Sequence, residues 1–228
     1  MIGTRGWSDV APSDDFYPPE LPVDWRLSFY SNNLRSVLVP QELWPTISRT
    51  ELSQWLDDSD PAFRFVLELP AMLCQPLPQA KYLQELDFFL ELYEPIAARV
   101  AGYLLRVAPQ IAPDPDWFEN SLHRLVEIGP VCVDLPEGLR RTDSILAALT
   151  RQTAGLCWHC ASASKPYPGG RLRLALAAPA VPRIARRYIE GLVQWQGQDA
   201  QAGLFFTVAV GATKAAQEAR LIAELMGA

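Results

Sequence analysis

No stretch of this sequence approaches the roughly 18 unbroken apolar residues of a membrane span, although hydrophobic residues make up 49% of it. A membrane role is therefore not expected. Met1 to Ser8 shows no basic region followed by an apolar run, so the sequence carries no sign of a secretory signal and is read as cytoplasmic. Lysine and arginine, 20 against 26 acidic residues for a net charge of −6, are scattered rather than gathered in a stripe. A surface built on phosphate contacts needs the opposite, which excludes nucleic acid as the expected partner. The sequence also lacks a glycine-rich phosphate loop, a G-x-S-x-G elbow, an H-E-x-x-H helix and a kinase signature. No recognised catalytic template is present, and no cofactor is called for. The cysteines, four in all, are expected to be reduced, because an even count in a cytoplasmic chain of this size is no evidence for disulfides.

Proline, by contrast, is abundant at 20 residues and clusters in 9–22 and 70–78, which are read as loops. Between the loops, strand and helix signals alternate. Strands are expected at 2–7, 36–39, 63–69, 102–107, 131–135, 155–160, 171–176 and 204–210. Helices are expected after Asp24, with Trp25, Phe29 and Tyr30 on one apolar face; after Ser48, which has capping-box spacing to Glu51; and over 79–100 with a break at Pro95. Asp114-Pro115 opens another that Gly129 can close, Thr142 or Asp143 caps a fifth, and 181–195 and 213–226 complete the set. Eight strands with seven helices predict a single (β/α)8 TIM-barrel-like domain over 1–228 in which a loop, 161–170, replaces the helix between strands six and seven.

The segment Ile2-Gly-Thr-Arg-Gly-Trp-Ser8 resembles the I-G-T-S-G-W-S opening of the YecE-like family, also called domain of unknown function 72. Phe16-Tyr-Pro18, Leu21-Pro22, the block from Trp25 to Tyr30, Trp55, and Asp60-Pro61 ahead of Phe63-Arg-Phe65 follow in the family's order. Tyr103-Leu-Leu-Arg-Val107, Tyr188 with Trp195, and the closing helix extend the resemblance over nearly the whole chain. It implies a (β/α)8-like barrel and no established activity. The departures bear on the site. Where the family reads V-E-I-N after strand two, with Glu and Asn pointing inward, this chain has Val37-Leu-Val-Pro40. The family Lys on strand three falls at Glu68, the His after it near Cys74 or Gln75, and the Gln on strand four at Arg106. The E-x-R-H pattern becomes Asp134-Leu-Pro136-Glu137, R-x-H-G is at best Arg173-Leu-Ala-Leu176, and F-N-N becomes Val208-Ala-Val210. The polar cluster of the family is thus either rebuilt here or lost.

Strand parity identifies candidates, because side chains alternate and the helix-facing side must be apolar. On strand three Phe63, Phe65, Leu67 and Leu69 are assigned outward, sending Arg64 and Glu68 into the barrel; on strand seven Leu172, Leu174 and Leu176 are assigned outward, sending Arg171 and Arg173 inward. A lone buried charge is too costly, so Glu68 is expected to pair with Arg106 or Arg173, either to fill the barrel or to hold an anion. Asp134 near its strand end could join Glu68 as a catalytic carboxylate pair, or serve as a loop anchor. His159 is a candidate acid or base, or a satisfied structural histidine, while His123 is expected to be exposed or structural. Cys157-Trp-His-Cys160 suits neither a metal knuckle nor a redox pair, since the two thiols should face opposite sides of a strand, and no metal is expected. Trp7 either floors a ligand pocket or packs. Two readings follow: a degenerate site that binds a small anionic ligand or a protein partner, or a small-molecule hydrolase or isomerase using Glu68, Asp134 and His159, with Trp7, Arg106 and Arg173 contacting the ligand. An open cavity with converging titratable groups favours the second, and a filled mouth the first.

Overall fold

A computed structural model describes residues 1–8, 15–111, 114–140, 142–161, 166–196, 199–208 and 210–227. Along the chain run β1 (Ile2–Thr4), α1 (Arg26–Asn33), β2 (Ser36–Val39), α2 (Arg49–Asp57), β3 (Arg64–Glu68), α3 (Gln79–Tyr93), β4 (Val100–Arg106) and α4 (Pro115–Ile128). Then follow β5 (Val131–Asp134), α5 (Asp143–Arg151), β6 (Gly155–Leu156), β7 (Trp158–His159), β8 (Leu172–Ala177), α6 (Pro182–Gln196), β9 (Gln201–Phe206) and α7 (Ala212–Met226). The local signals act as their chemistry requires. Glu51 N–H donates to Ser48 Oγ while Ser48 N–H donates to Glu51 Oε2, closing a capping box. Asp114 accepts from Trp117 N–H at 2.9 Å, with Pro115 at the first helical position. Pro95 stops α3, which tightens into a 3-10 turn over Glu94–Arg99. Asp24 does not cap: a 3-10 turn over Val23–Trp25 precedes α1, and Trp25, 66% exposed, lies off the apolar face that Tyr30 buries.

All strand pairs are parallel, in two sheets ordered β2-β3-β4-β5-β6 and β1-β9-β8-β7. The strand expected at 155–160 is broken at Cys157, so that β6 pairs with β5 while β7 pairs with β8. The sheets approach each other there and again between β1 and β2, where Arg5 bridges Leu38 and Gly6 N–H donates to Leu38 O at 2.8 Å. The arrangement is barrel-like without a single continuous ladder. Both seams are tight because both hold a glycine. A Cβ on Gly3 would sit 1.9 Å from Ser36 O, and one on Gly155 would sit 2.0 Å from Leu172 O.

Two apolar layers flank the strands. The outer one, under the helices, includes Phe63, Phe65, Leu67 and Leu69, as parity predicts. The inner one is mostly aliphatic, with Leu38, Val66, Ala101, Leu104, Leu172, Leu174 and Leu176 joined by Cys132, Cys157 and Phe205. The parity assigned to the strand at 171–176 is therefore inverted. Its leucines fill the interior, Ala175 and Ala177 face the helices, and Arg173 turns outward to donate to Pro168 O and Gly170 O. The premise that only the helix side is apolar fails because this interior is itself a packed core. The last strand lies over 201–206 rather than 204–210, leaving Val208 and Val210 exposed. Parts of the expected loops, 9–14 and 162–165, and Ala209 of the Val208-Ala-Val210 segment lie outside the described residues.

Three strands end in the same rim device. Pro40, Pro70 and Pro136 each start a 3-10 turn whose closing leucine, Leu43, Leu73 or Leu139, donates its N–H back to the proline carbonyl at 3.2, 2.9 and 2.9 Å.

Gly155→Ala tests the seam. The added methyl meets a backbone oxygen that cannot swing aside, so the variant is expected to lose at least about 3 kcal/mol or fail to fold, read from a thermal melt by circular dichroism. Gly138→Ala, where a Cβ meets nothing within 4 Å, is the matched control and melts with the native chain.

Candidate functional site

The last inward position of five strands or strand extensions carries an ionisable side chain above the apolar interior: Arg5, Glu68, Arg106, Asp134 and His159. They form one network. Glu68, with 1% of its side chain exposed, accepts from Arg5 in bidentate fashion, Nε to Oε1 and Nη2 to Oε2, both at 2.7 Å. Gln41 N–H donates to the same carboxylate at 3.1 Å, Arg106 Nη2 lies 3.0 Å from Oε1, and Trp44 Nε1 donates to the Glu68 carbonyl at 2.6 Å. A buried carboxylate is tolerable only with this degree of satisfaction. Arg5 Nη2 also meets Glu42 at the rim, 2.6 Å away.

Asp134 is the second centre. Its Oδ1 accepts from Arg140 Nη2 at 2.9 Å and lies 2.7 Å from His159 Nε2, while Arg106 Nε stands 3.5 Å from Oδ2. Arg140, 8% exposed, is anchored further by donating to Leu135 O and Cys157 O at 2.8 and 2.7 Å, and it approaches Glu137 at 3.5 Å. A cavity of about 780 Å³ opens above this group at the C-terminal ends of β3, β4, β5 and β7, lined among others by Gln41, Cys74, Arg106, Asp134, Arg140 and His159. His159, with 40% of its side chain exposed, faces it with Asp134 behind the ring. The carboxylate orients the imidazole, which is the arrangement used for proton transfer.

The family model described as "Protein of unknown function DUF72" matches residues 1–228. The chain belongs to this family. A DUF72 structure from Thermotoga maritima superimposes with a TM-score of 0.76 at 15% identity, covering 98% of each chain. One from Enterococcus faecalis gives 0.73 at 14% identity, covering 99% of this chain and 94% of that one. These likenesses establish a shared fold. No curated protein matches this chain.

Set beside the motifs that the sequence resembles, the mouth holds a polar cluster made of different residues. Glu68 stands where the family has Lys, and the cation it needs comes from Arg5, which stands where the opening motif has Ser. Pro136 takes the place of an Arg, and Arg140, one turn later, returns a guanidinium to Asp134. Neither Arg5 nor Arg140 stands out by parity. The signal for Arg5 was its departure from the opening motif; Arg140 sits in a turn that no strand pattern reaches. Of the predicted residues, Glu68, Arg106, Asp134 and His159 come together, although Glu68 is sealed below the cavity floor. Arg173 does not reach the group, and Trp7, 7% exposed, packs edge-on against Trp55 with centroids 4.7 Å apart rather than lining the cavity. His123 is half-exposed on α4 beside Glu127, 3.6 Å away.

The thiols are shielded from reagents. All four cysteines are free and buried; burial pushes Cys74 and Cys160 up to about 12, and Cys157 is raised by burial and by neighbouring Cys132 and Asp134. Iodoacetamide at pH 7.5 is expected to leave the native chain unmodified and to add four groups after denaturation, counted by mass spectrometry. Glu68→Gln is expected to lose about 3 kcal/mol, a fall in Tm on the order of 10 °C, because two arginines lose a buried counter-charge. An unchanged melt would show that the pairing contributes nothing.

Proposed function

We propose that the cavity binds a small anionic molecule, held by Arg106, on which His159 acts as proton acceptor and donor with Asp134 orienting it: a hydrolase or isomerase of small molecules. The carrying observation is the convergence of His159, Asp134 and Arg106 on one open cavity at the strand C-termini, where barrel enzymes place their chemistry. Arg106 lies 3.0 Å from Glu68 through Nη2 and 3.5 Å from Asp134 through Nε, which makes no hydrogen bond, and among the described residues none accepts one from its Nη1. That donor is available to a carboxylate or phosphate. Each nitrogen of Arg140 already donates to Asp134 or to a carbonyl, which fixes its guanidinium at the cavity wall. Glu68 belongs to the scaffold in this reading, since every oxygen of its carboxylate is satisfied.

We read the fold as a single TIM-barrel domain over 1–228, with β6 and β7 counted as one broken strand. The free cysteines suit a reducing compartment, the cytoplasm. No helix among the described residues is long and apolar enough to cross a membrane.

A thermal-shift series over phosphate, sulfate and sugar acids tests the binding reading. A ligand present at one hundred times its Kd stabilises by about 2.7 kcal/mol, equivalent to about 5 to 10 °C for a chain of this length. Arg106→Gln is expected to remove the shift and His159→Gln to retain it while losing turnover of any anion found to react. No shift of the native chain with any of these anions overturns the proposal.

A further inference from the structure

The same two strands that build the mouth carry a second pattern. β5 sends Cys132 and Asp134 inward, and the broken strand sends Cys157 and His159 inward, each pair two residues apart and hence on one face. A carboxylate oxygen of Asp134, the Sγ of Cys157 and a ring nitrogen of His159 all lie within 4.8 Å of one another. Ligand atoms around one tetrahedral ion with zinc-like bond lengths stand roughly 3.3 to 3.8 Å apart, so a small closing motion of side chains suffices.

We propose that Asp134, Cys157 and His159 form a site for a transition-metal ion of the zinc class, with its fourth position open to the cavity. The donor set decides the class. A thiolate with an imidazole and a carboxylate suits Zn2+ or Co2+ and is too soft for Ca2+ or Mg2+. Three protein ligands below an open cavity are the pattern of a zinc site that works on a bound molecule, whereas a structural site closes with four. Arg140 holds two of the three ligands in place from behind, through Cys157 O and Asp134 Oδ1.

The objection is that guanidinium groups surround the site, and the charge balance answers it. With the rim carboxylates Glu42 and Glu137, 63% and 65% exposed, counted in, the ion-pair network joins Arg5, Arg106 and Arg140 to Glu42, Glu68, Asp134 and Glu137, three cations to four anions, leaving one negative charge in excess. A divalent ion that displaces the Cys157 proton to solvent adds one positive charge and brings the network to neutrality. Binding exchanges the Asp134–His159 hydrogen bond for bonds to the ion. Metal coordination and proton transfer by His159 are thus alternative uses of the same atoms, and the ion switches the site from one to the other. This switching role, though not the binding itself, rests on the reading of the cavity as a working site.

Co2+ is the probe. Titrating the native chain is expected to produce the near-ultraviolet band of a thiolate bound to cobalt together with intense visible bands of tetrahedral coordination, saturating at one equivalent and bleached by Zn2+. The ultraviolet band should vanish in Cys157→Ser and persist in Cys160→Ser, whose thiol lies in the outer layer. Should Cys157→Ser fail to fold, His159→Asn gives the same reading through an affinity for Co2+ at least tenfold weaker. No band in the native chain, a band that survives in a folded Cys157→Ser, or unchanged affinity in His159→Asn overturns the site. Arg106→Gln should keep the cobalt spectrum, and the anion series run with EDTA should still shift the native melt. The metal and anion proposals therefore fail separately.

Discussion

A carboxylate with no access to water sets the terms for this molecule. Glu68 is tolerated in its place because Arg5 grips both of its oxygens, Gln41 offers a backbone N–H and Arg106 stands alongside. Those partners come from different parts of the chain. Arg5 extends β1 in one sheet, while Glu68 and Arg106 belong to the other, so the ion pair spans the seam at which, among the described residues, one bridge, Arg5 to Leu38, joins the sheets. At the opposite seam Asp134 of one sheet meets His159 of the other. The polar network thus fastens the mouth at both places where the backbone ladder is interrupted. The glycines at the seams let the strands come close, and the charged groups hold them in register above.

Much of this was written in the alternation of side chains. Glu68 points inward because its neighbours on β3 are large and apolar on the other side, and Arg106 follows from the same counting on β4. The counting misled at 171–176 because leucines satisfy either face when the interior is as apolar as the helix layer. Arg173 was then assigned to the mouth, although it lies at the start of β8, away from the strand ends that form the cavity. The pairing of Asp134 with His159 was beyond reach for a different reason. It depends on the strand break at Cys157, which lets one segment serve both sheets, and no propensity marks such a break. Arg140 illustrates a third limit: its role is set by a turn that carries it back beneath its own strand end.

Relative to the motifs that the sequence resembles, the charged residues of this mouth differ in sign and position. The cation expected on β3 has become an anion, and a cation has appeared on β1, two strands away but adjacent in space. Across this mouth cations and anions alternate, Arg5 with Glu68 and Arg106 with Asp134. Electrostatic complementarity inside a low-dielectric shell constrains the sum more tightly than the individual positions.

The prolines at the ends of β2, β3 and β5 have a consequence for recognition. Pro40, Pro70 and Pro136 fix the backbone where each loop leaves its strand, and the tight turn after each returns a hydrogen bond to the proline carbonyl. Much of the rim therefore has little conformational entropy left to lose when a guest arrives, and little freedom to reshape itself around one. For the anion proposed above, a match to this part of the rim would carry a small ordering penalty. A wider one would meet a frame with little room to relax, and discrimination between such anions would then rest on steric exclusion more than on the strength of any contact.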